Sequence, residues 1–449
     1  MAEQRTISKN IFHTFLVQIP NYILTLVAGI LVTRLLGPES KGVFTLLTAN
    51  IQLLVMFLGL NVPGAIQFFV ANKKIEPSRL ASVGLVLMLI SSFIVFLSLF
   101  FWPFATDALL APGHEHLFFK VYFFLSFFMA NFNAMVIGFI QGKFRFKELN
   151  LLTLINSILN FIIFSSMYFA SRYGLIEAGL NEVLILSLSI IFINVFIAYA
   201  FFRRELNTTL FTRFSRAEIN QIAAFLVPSY ISILVNFFNY RLTIWQVNYY
   251  EGTENLGYFS LALNFAQLML IVTAAINTVL FPFFASKEGH HETINDFGFI
   301  LKINGIIMFI ATCGLVLFSG FIIPLLYGDA FIPSITAVKI LAVGTFFCSQ
   351  SQVFGHYFGA RNKNWINTII YLVALSCVGI LGPILMMNYG IEGAAVASSC
   401  SYVLMFILFS VFLRIKFNVN PLSLFKITRQ DWDRAKGILN RITKKGEQV

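Results

Sequence analysis

The chain has 449 residues, 58% of them hydrophobic and only 11% charged, with a mean hydropathy of +0.81 and a formal net charge of +11. Soluble domains average roughly 45–50% apolar and about 25% charged residues. This balance excludes a water-soluble enzyme and, despite the positive charge, a disordered or nucleic-acid-wrapping protein. The chain reads as a polytopic membrane protein.

A membrane-spanning helix needs about 20 mainly apolar residues, so roughly 12 spans fit this length. Runs such as Leu80–Trp102 are continuous and lack the alternation of a transmembrane β-barrel. Arg5 and Lys9 precede the first run, which is too long for a signal-peptide core and ends in no small-residue cleavage site; it is expected to remain as the first span. In chain order the spans are predicted at 11–36, 42–70, 80–102, 117–141, 149–171, 179–202, 222–250, 257–283, 298–324, 334–359, 366–388 and 391–415. The connecting loops are short, and the longest, 203–221, falls at mid-chain, which leaves no room for an extramembrane catalytic domain. The organisation expected is an N-terminal lobe (1–202), a cytoplasmic linker (203–221), a C-terminal lobe (222–415) and a cytoplasmic tail (416–449). In that tail Trp432, Ala435, Ile438, Leu439 and Ile442 recur at helical spacing among Arg434, Lys436 and Arg441, the pattern of an interfacial helix on anionic lipid.

Lys and Arg set the expected orientation. Alternate loops and the two termini hold 24 of the 31 cations, whereas the opposite loops hold only Lys41 and Arg172. Positive charge stays cytoplasmic, so both termini are predicted to face the cytoplasm, and the net charge becomes a topology signal rather than a nucleic-acid footprint. Cys313, Cys348, Cys377 and Cys400 lie inside apolar runs without CxxC spacing and read as packing residues. His114, His116, His290 and His291 fall in predicted loops and form no metal constellation by spacing.

The sequence repeats itself. Gly37-Pro-Glu-Ser-Lys-Gly-Val-Phe-Thr-Leu46 after the first span matches Gly252-Thr-Glu-Asn-Leu-Gly-Tyr-Phe-Ser-Leu261 after the seventh at an offset of 215. Tyr173-Gly-Leu-Ile-Glu-Ala-Gly179 is echoed by Tyr389-Gly-Ile-Glu-Gly-Ala394 at 216. Two six-helix halves in the same orientation are expected, related by a pseudo-two-fold axis along the membrane normal, with a cavity between them. The glycines read as structural turn residues needing positive φ or close backbone approach.

Five cations fall within predicted spans: Arg34, Lys120, Arg241, Lys302 and Lys339. A charge at the bilayer centre costs about 2.5 kcal/mol or more unless paired or hydrated. Lys302 lies near an inner span end, where snorkelling explains it. Arg34, Lys120, Arg241 and Lys339 belong to spans one, four, seven and ten, which are equivalent in the two halves, and all lie in the outer portion. Asp and Glu are confined to loops and span ends, so these cations call for an anionic ligand; arginine suits a phosphate because its planar fork donates bidentately. Asn236 and Asn239 flank Arg241, and with Asn131, Asn133, Asn156, Asn160, Gln246, Asn248, Asn264, Gln267, Asn277, Gln350 and Gln352 they suit a wet cavity for sugar hydroxyls, although each amide alone can be hydrogen-bond glue between helices. Tyr230, Tyr240, Trp245, Tyr249 and Tyr250 add stacking surface or interface anchors.

Arg34-Leu-Leu-Gly-Pro-Glu39 with Gly42 and Phe44, Gly257-Tyr-Phe-Ser260, Phe281-Pro282, Ile323-Pro-Leu-Leu-Tyr-Gly-Asp329 with Phe331, and Tyr389-Gly-Ile-Glu-Gly-Ala-Ala395 together resemble the polysaccharide transporters, the Wzx-type flippases of the multidrug/oligosaccharidyl-lipid/polysaccharide (MOP) exporter superfamily. The resemblance implies an all-α, MATE-like membrane protein of 12 helices in two lobes. It also implies a non-enzymatic flippase in a bacterial inner membrane that moves an undecaprenyl-diphosphate-linked oligosaccharide, such as an O-antigen unit, by alternating access. Many relatives carry an Arg-x-Asp-type pair in span seven; Arg241-Leu-Thr243 has no acid there. Expected ligand contacts are Arg241, Arg34, Lys120, Lys339, Asn236 and Asn239. No cofactor or metal is expected, with Na⁺ or H⁺ as candidate coupling ions, membrane lipid and a polysaccharide polymerase as candidate partners, and a monomer as the unit. The alternative is a cation-coupled multidrug exporter of the same fold, against which the lack of a buried acid counts. A membrane polymerase or ligase would need a large outer loop with acid/base residues, and a channel a filter-like repeat.

Overall fold

The computed structural model describes residues 2–72, 75–203, 216–286, 290–361, 363–417, 419–420 and 424. Among the described residues all regular structure is helical. Helices α1 (Ala2–Leu58), α2 (Val62–Ala71), α3 (Pro77–Phe101), α4 (Pro103–Leu109), α5 (Leu117–Gly142), α6 (Phe146–Arg172), α7 (Leu180–Arg203), α8 (Arg216–Ser286), α9 (His290–Tyr327), α10 (Ser334–Ala360) and α11 (Asn364–Phe417) follow in order, with a 3₁₀ turn at Asp329–Phe331. Among the described residues, nine of these helices are long and apolar enough to cross a membrane. Helix is the regular element that satisfies every backbone group within its own segment in a lipid environment.

Three helices are each two helices run together across a glycine: Gly37 in α1 (φ 66, ψ 179), Gly252 in α8 (φ 83, ψ 177) and Gly390 in α11 (φ 56, ψ −136). The backbone of Gly37 and Gly252 lies in a region essentially closed to residues with a Cβ. Pro38 follows at once, with its φ preset for the next helical arm. The positive-φ glycines pair off along the chain: Gly37 with Gly252 and Gly113 with Gly328 at an offset of 215, and Gly174 with Gly390 at 216. The repeat read from two sequence echoes is therefore also a repeat of backbone conformation, and it includes a third turn pair that the residue identities did not reveal.

The structure corrects the predicted elements in three places. The second span, predicted unbroken over 42–70, is interrupted at Gly59–Asn61, where Leu60 (φ 47) and Asn61 (φ 56) are both left-handed. Pro63 lacks an N–H and enters the new helix at its start, so the ladder restarts there, with the Val62 N–H bonded to the Gly59 carbonyl at 2.8 Å. The predicted loop 103–116 contains α4, begun by Pro103 and tied back by the Thr106 hydroxyl to the Leu99 carbonyl at 2.9 Å. The ninth span is longer than predicted, His290–Tyr327. Most of the linker (204–215) and the amphipathic stretch of the tail around Trp432–Ile442 lie outside the described residues.

Packing divides the chain into two compact units, Met1–Leu261 with Phe321–Ser334, and Ala262–Gly320 with Ile335–Val449. In the first unit α2 lies against α5, where Gly138 and Gly142 face the Pro63 carbonyl and Val70, small residues four apart that admit close helix approach. Val32, Leu36, Phe164, Met167, Val183 and Ile190 knit α1, α6 and α7. In the second unit Phe354 and Phe358 of α10 stack on Phe409 of α11 at 6.0 and 5.8 Å, and Phe297 of α9 lies 4.4 Å from the Tyr357 ring.

Candidate functional site

Two side-chain hydrogen bonds join the first arm of α8 to the second arm of α1. Tyr230 donates from its hydroxyl to the Phe57 carbonyl at 2.8 Å, just before the break in the second span. Trp245 donates from Nε1 to Asn50 Oδ1 at 2.6 Å, and Asn50 in turn donates to the Leu109 carbonyl at the end of α4 at 2.7 Å. Asn50 is buried, so its amide joins three elements with both its oxygen and its nitrogen engaged. The rings of Phe237 and Phe238 lie 6.2 and 6.0 Å from Trp245. Asn50 was not singled out in the sequence; the available signal was one amide inside an apolar run.

Arg241 stands on the same arm of α8, eleven residues before Gly252. At 1.5 Å per residue that is about 16 Å along the helix from the turn. Its side chain is half-buried; Asn239 and Thr243 beside it are buried, and Asn236 is half-buried. From Ile219 to Tyr250 the chain contains no Asp or Glu.

Arg34 lies one turn before Gly37 and is exposed. It donates to the Tyr168 hydroxyl of α6 at 3.5 Å and to the Leu325 carbonyl near the end of α9 at 3.4 Å. Carbonyls of a last helical turn lack intrahelical partners, so Arg34 acts on α9 as a cap supplied from α1. Neither acceptor is charged, and the guanidinium keeps further donors for an anion. Lys120 lies about one turn into α5 and Lys339 at a similar depth in α10; both are half-buried. Lys339 belongs to the second unit, the other expected ligand residues to the first. Lys41, expected in a loop, lies within α1 and is buried, with Nζ 5.3 Å from the centre of the Phe44 ring.

Several amides act between helices. Asn160 and Asn194 both donate to Asn156 Oδ1, at 2.9 and 2.7 Å, which joins α6 to α7. In the second unit the Thr273 hydroxyl donates to Asn304 Oδ1 at 3.0 Å, and Asn304 donates to the Ser349 hydroxyl at 3.4 Å, all fully buried. His114 packs edge-on against Phe119 at 4.8 Å, with Nδ1 3.0 Å from the Pro112 carbonyl.

With this geometry in place, the chain can be set beside known proteins. The family model described as "Polysaccharide biosynthesis protein" matches residues 7–288. The probable low-salt glycan biosynthesis flippase Agl15 of Haloferax volcanii is 21% identical over 397 residues, covering 87% of this chain and 80% of Agl15. Among solved structures, the lipid II flippase MurJ in an inward closed conformation superposes with a TM-score of 0.74 at 15% identity, over 92% of this chain and 90% of MurJ. An inward-facing MATE-family multidrug transporter of the MOP superfamily superposes at 0.68 with 17% identity, over 90% and 95% of the two chains. These structural likenesses establish the fold, an all-helical architecture shared with these transporters. The resemblance read from the sequence motifs is confirmed.

Proposed function

We propose, for a chain that belongs to the polysaccharide biosynthesis protein family, that it flips an undecaprenyl-diphosphate-linked oligosaccharide, of the O-antigen kind, across a bacterial inner membrane. In this reading the chain has twelve spans in two six-helix halves, with both termini cytoplasmic, and works by alternating access without covalent catalysis. The observation that carries it is Arg241: a half-buried guanidinium about three turns before the Gly252 break, on a helical arm rich in amides and aromatics, in a stretch from Ile219 to Tyr250 without acid.

Arg241 is half-buried within an apolar span, where a guanidinium suits an anionic ligand, and a diphosphate offers oxygens for bidentate donation. Asn236 and Asn239 lie within two turns of Arg241 and supply donors and acceptors for sugar hydroxyls. Arg34 and Lys120, in the same unit as Arg241, lie nearer the span ends and receive the diphosphate as it leaves Arg241. The polyprenyl chain stays in lipid, since each buried CH₂ favours that phase by about 0.8 kcal/mol. Na⁺ and H⁺ are the candidate coupling ions, and imposed gradients of each distinguish them.

Depletion of the chain in its host tests the reading. The expected result is lipid-linked glycan that accumulates beyond the reach of an externally added lectin or glycosidase in spheroplasts. Unchanged accessibility would overturn it. Loss of cationic-dye efflux with normal glycan exposure would place the chain with the multidrug exporters instead.

A further inference from the structure

The two repeated glycine turns meet each other within the first unit. A Cβ added to Gly42 would run into the Thr253 carbonyl and stand 3.1 Å from the Gly257 nitrogen. A Cβ added to Gly257 would run into the Pro38 carbonyl and stand 3.1 Å from the Pro38 Cα. Gly42 and Gly257 are equivalent positions of the repeat at an offset of 215, and so are Pro38 and Thr253. The contact is therefore reciprocal: each turn presses its second glycine onto the main chain of the other turn at the matching place. Backbone meets backbone, with no side chain between them.

Both turns get their shape from the residue that begins them, since Gly37 and Gly252 adopt nearly the same glycine-only conformation. Beneath this contact, toward the middle of the helices, lies the Trp245–Asn50 hydrogen bond between the same two helices. Gly29, farther back on α1, has nothing within 4 Å of an added Cβ. The steric demand for glycine on this part of α1 is thus local to the meeting of the turns.

We propose that Gly42 and Gly257 form a main-chain clasp that seals the face of the protein away from its basic loops, and that the clasp closes only because both positions lack a side chain. The clasp rests on the carrier reading above for its purpose, since a seal that must open and close is needed only if cargo passes. Packed interfaces of this kind are bistable rather than continuously deformable. A side chain at either glycine removes the closed arrangement without touching Arg241 or its neighbouring amides. Exchange symmetry adds a sharper demand: the two glycines are interchangeable in effect.

The test uses the full chain with Cys313, Cys348, Cys377 and Cys400 replaced by serine and Ala49→Cys, a buried position about two turns beyond Gly42 on α1, as reporter beneath the clasp. Labelling by a membrane-impermeant thiol reagent added from the clasp side is timed in membranes. Gly42→Leu and Gly257→Leu are each expected to speed labelling at least tenfold, Gly42→Ala and Gly257→Ala by a smaller and mutually similar factor, and Gly29→Leu not at all. Parental rates in the alanine variants at normal membrane abundance overturn the clasp, even if the leucine variants fail to accumulate. Faster labelling in Gly29→Leu overturns it too. The readout needs no substrate, so clasp and carrier fail separately: labelling that responds as expected in a chain that moves no glycan overturns only the carrier reading, and glycan transport with unresponsive labelling overturns only the clasp.

Discussion

At the scale of single residues, Arg241 and Arg34 divide the work that one charge type can do. Arg241 is half-buried and flanked by amides, so its value lies in what it offers a ligand. Arg241→Ala is expected to lower glycan transport at least tenfold at normal membrane abundance, whereas Arg241→Lys, which keeps a point charge but loses the fork, retains an intermediate rate. Arg34 is exposed and holds the Tyr168 hydroxyl and the Leu325 carbonyl, both uncharged. Arg34→Ala is expected to cost about 1 kcal/mol in detergent-solubilised stability, and Arg34→Gln less, because an amide still donates to either acceptor. Transport that falls equally in both variants would make the charge, and not the cap, its main role. Asn50 sits between these cases: Trp245→Phe leaves the buried Asn50 oxygen without its donor and is expected to lower stability by about 1–2 kcal/mol, read as a shifted midpoint in thermal unfolding.

At the scale of elements, the glycine breaks organise the long helices. Gly37, Gly252 and Gly390 end one arm and begin the next without a loop, which is why three helices run on past 50 residues. These turns were legible in the sequence because glycine beside proline or acid, repeated at one offset, has few other uses. The break at Gly59–Asn61 was not read, although Gly59, Asn61, Pro63 and Gly64 all punctuate; the apolar run through them outweighed the local signal. Leu60 there has φ 47, a conformation that costs a branched residue roughly 1 kcal/mol or more. Leu60→Gly is expected to leave thermal stability unchanged or raise it, while a leucine-to-glycine change inside α3, at Leu89, lowers it by about 1 kcal/mol. The α2–α5 contact has the opposite demand. Gly138→Leu would drive a side chain into the Pro63 carbonyl and is expected to destabilise by about 1–3 kcal/mol. The burial of Lys41 and the meeting of Asn50 with Trp245 were not legible at all, because both depend on which helices lie side by side, and hydrophobic periodicity does not encode that.

At the scale of the whole molecule, the scarcity of charge is what makes the few placed charges informative. The membrane class, the helical fold and the internal repeat followed from composition, run length and two sequence echoes, and the motif resemblance reached the family. Packing puts Arg34, Lys120 and Arg241 in the first unit and Lys339 in the second. The central claim is that the chain moves a glycan carried on a lipid diphosphate and that Arg241 engages the diphosphate. The most direct test is the purified chain in liposomes carrying a fluorescent polyprenyl-diphosphate-linked glycan, with a membrane-impermeant quencher reporting the leaflet. The parent chain is expected to equalise the leaflets well ahead of protein-free liposomes, Arg241→Ala at least tenfold more slowly, and a neutral polyprenyl-linked glycan to move poorly even with the parent. A parent no faster than empty liposomes, or an Arg241→Ala chain as fast as the parent, would contradict the account.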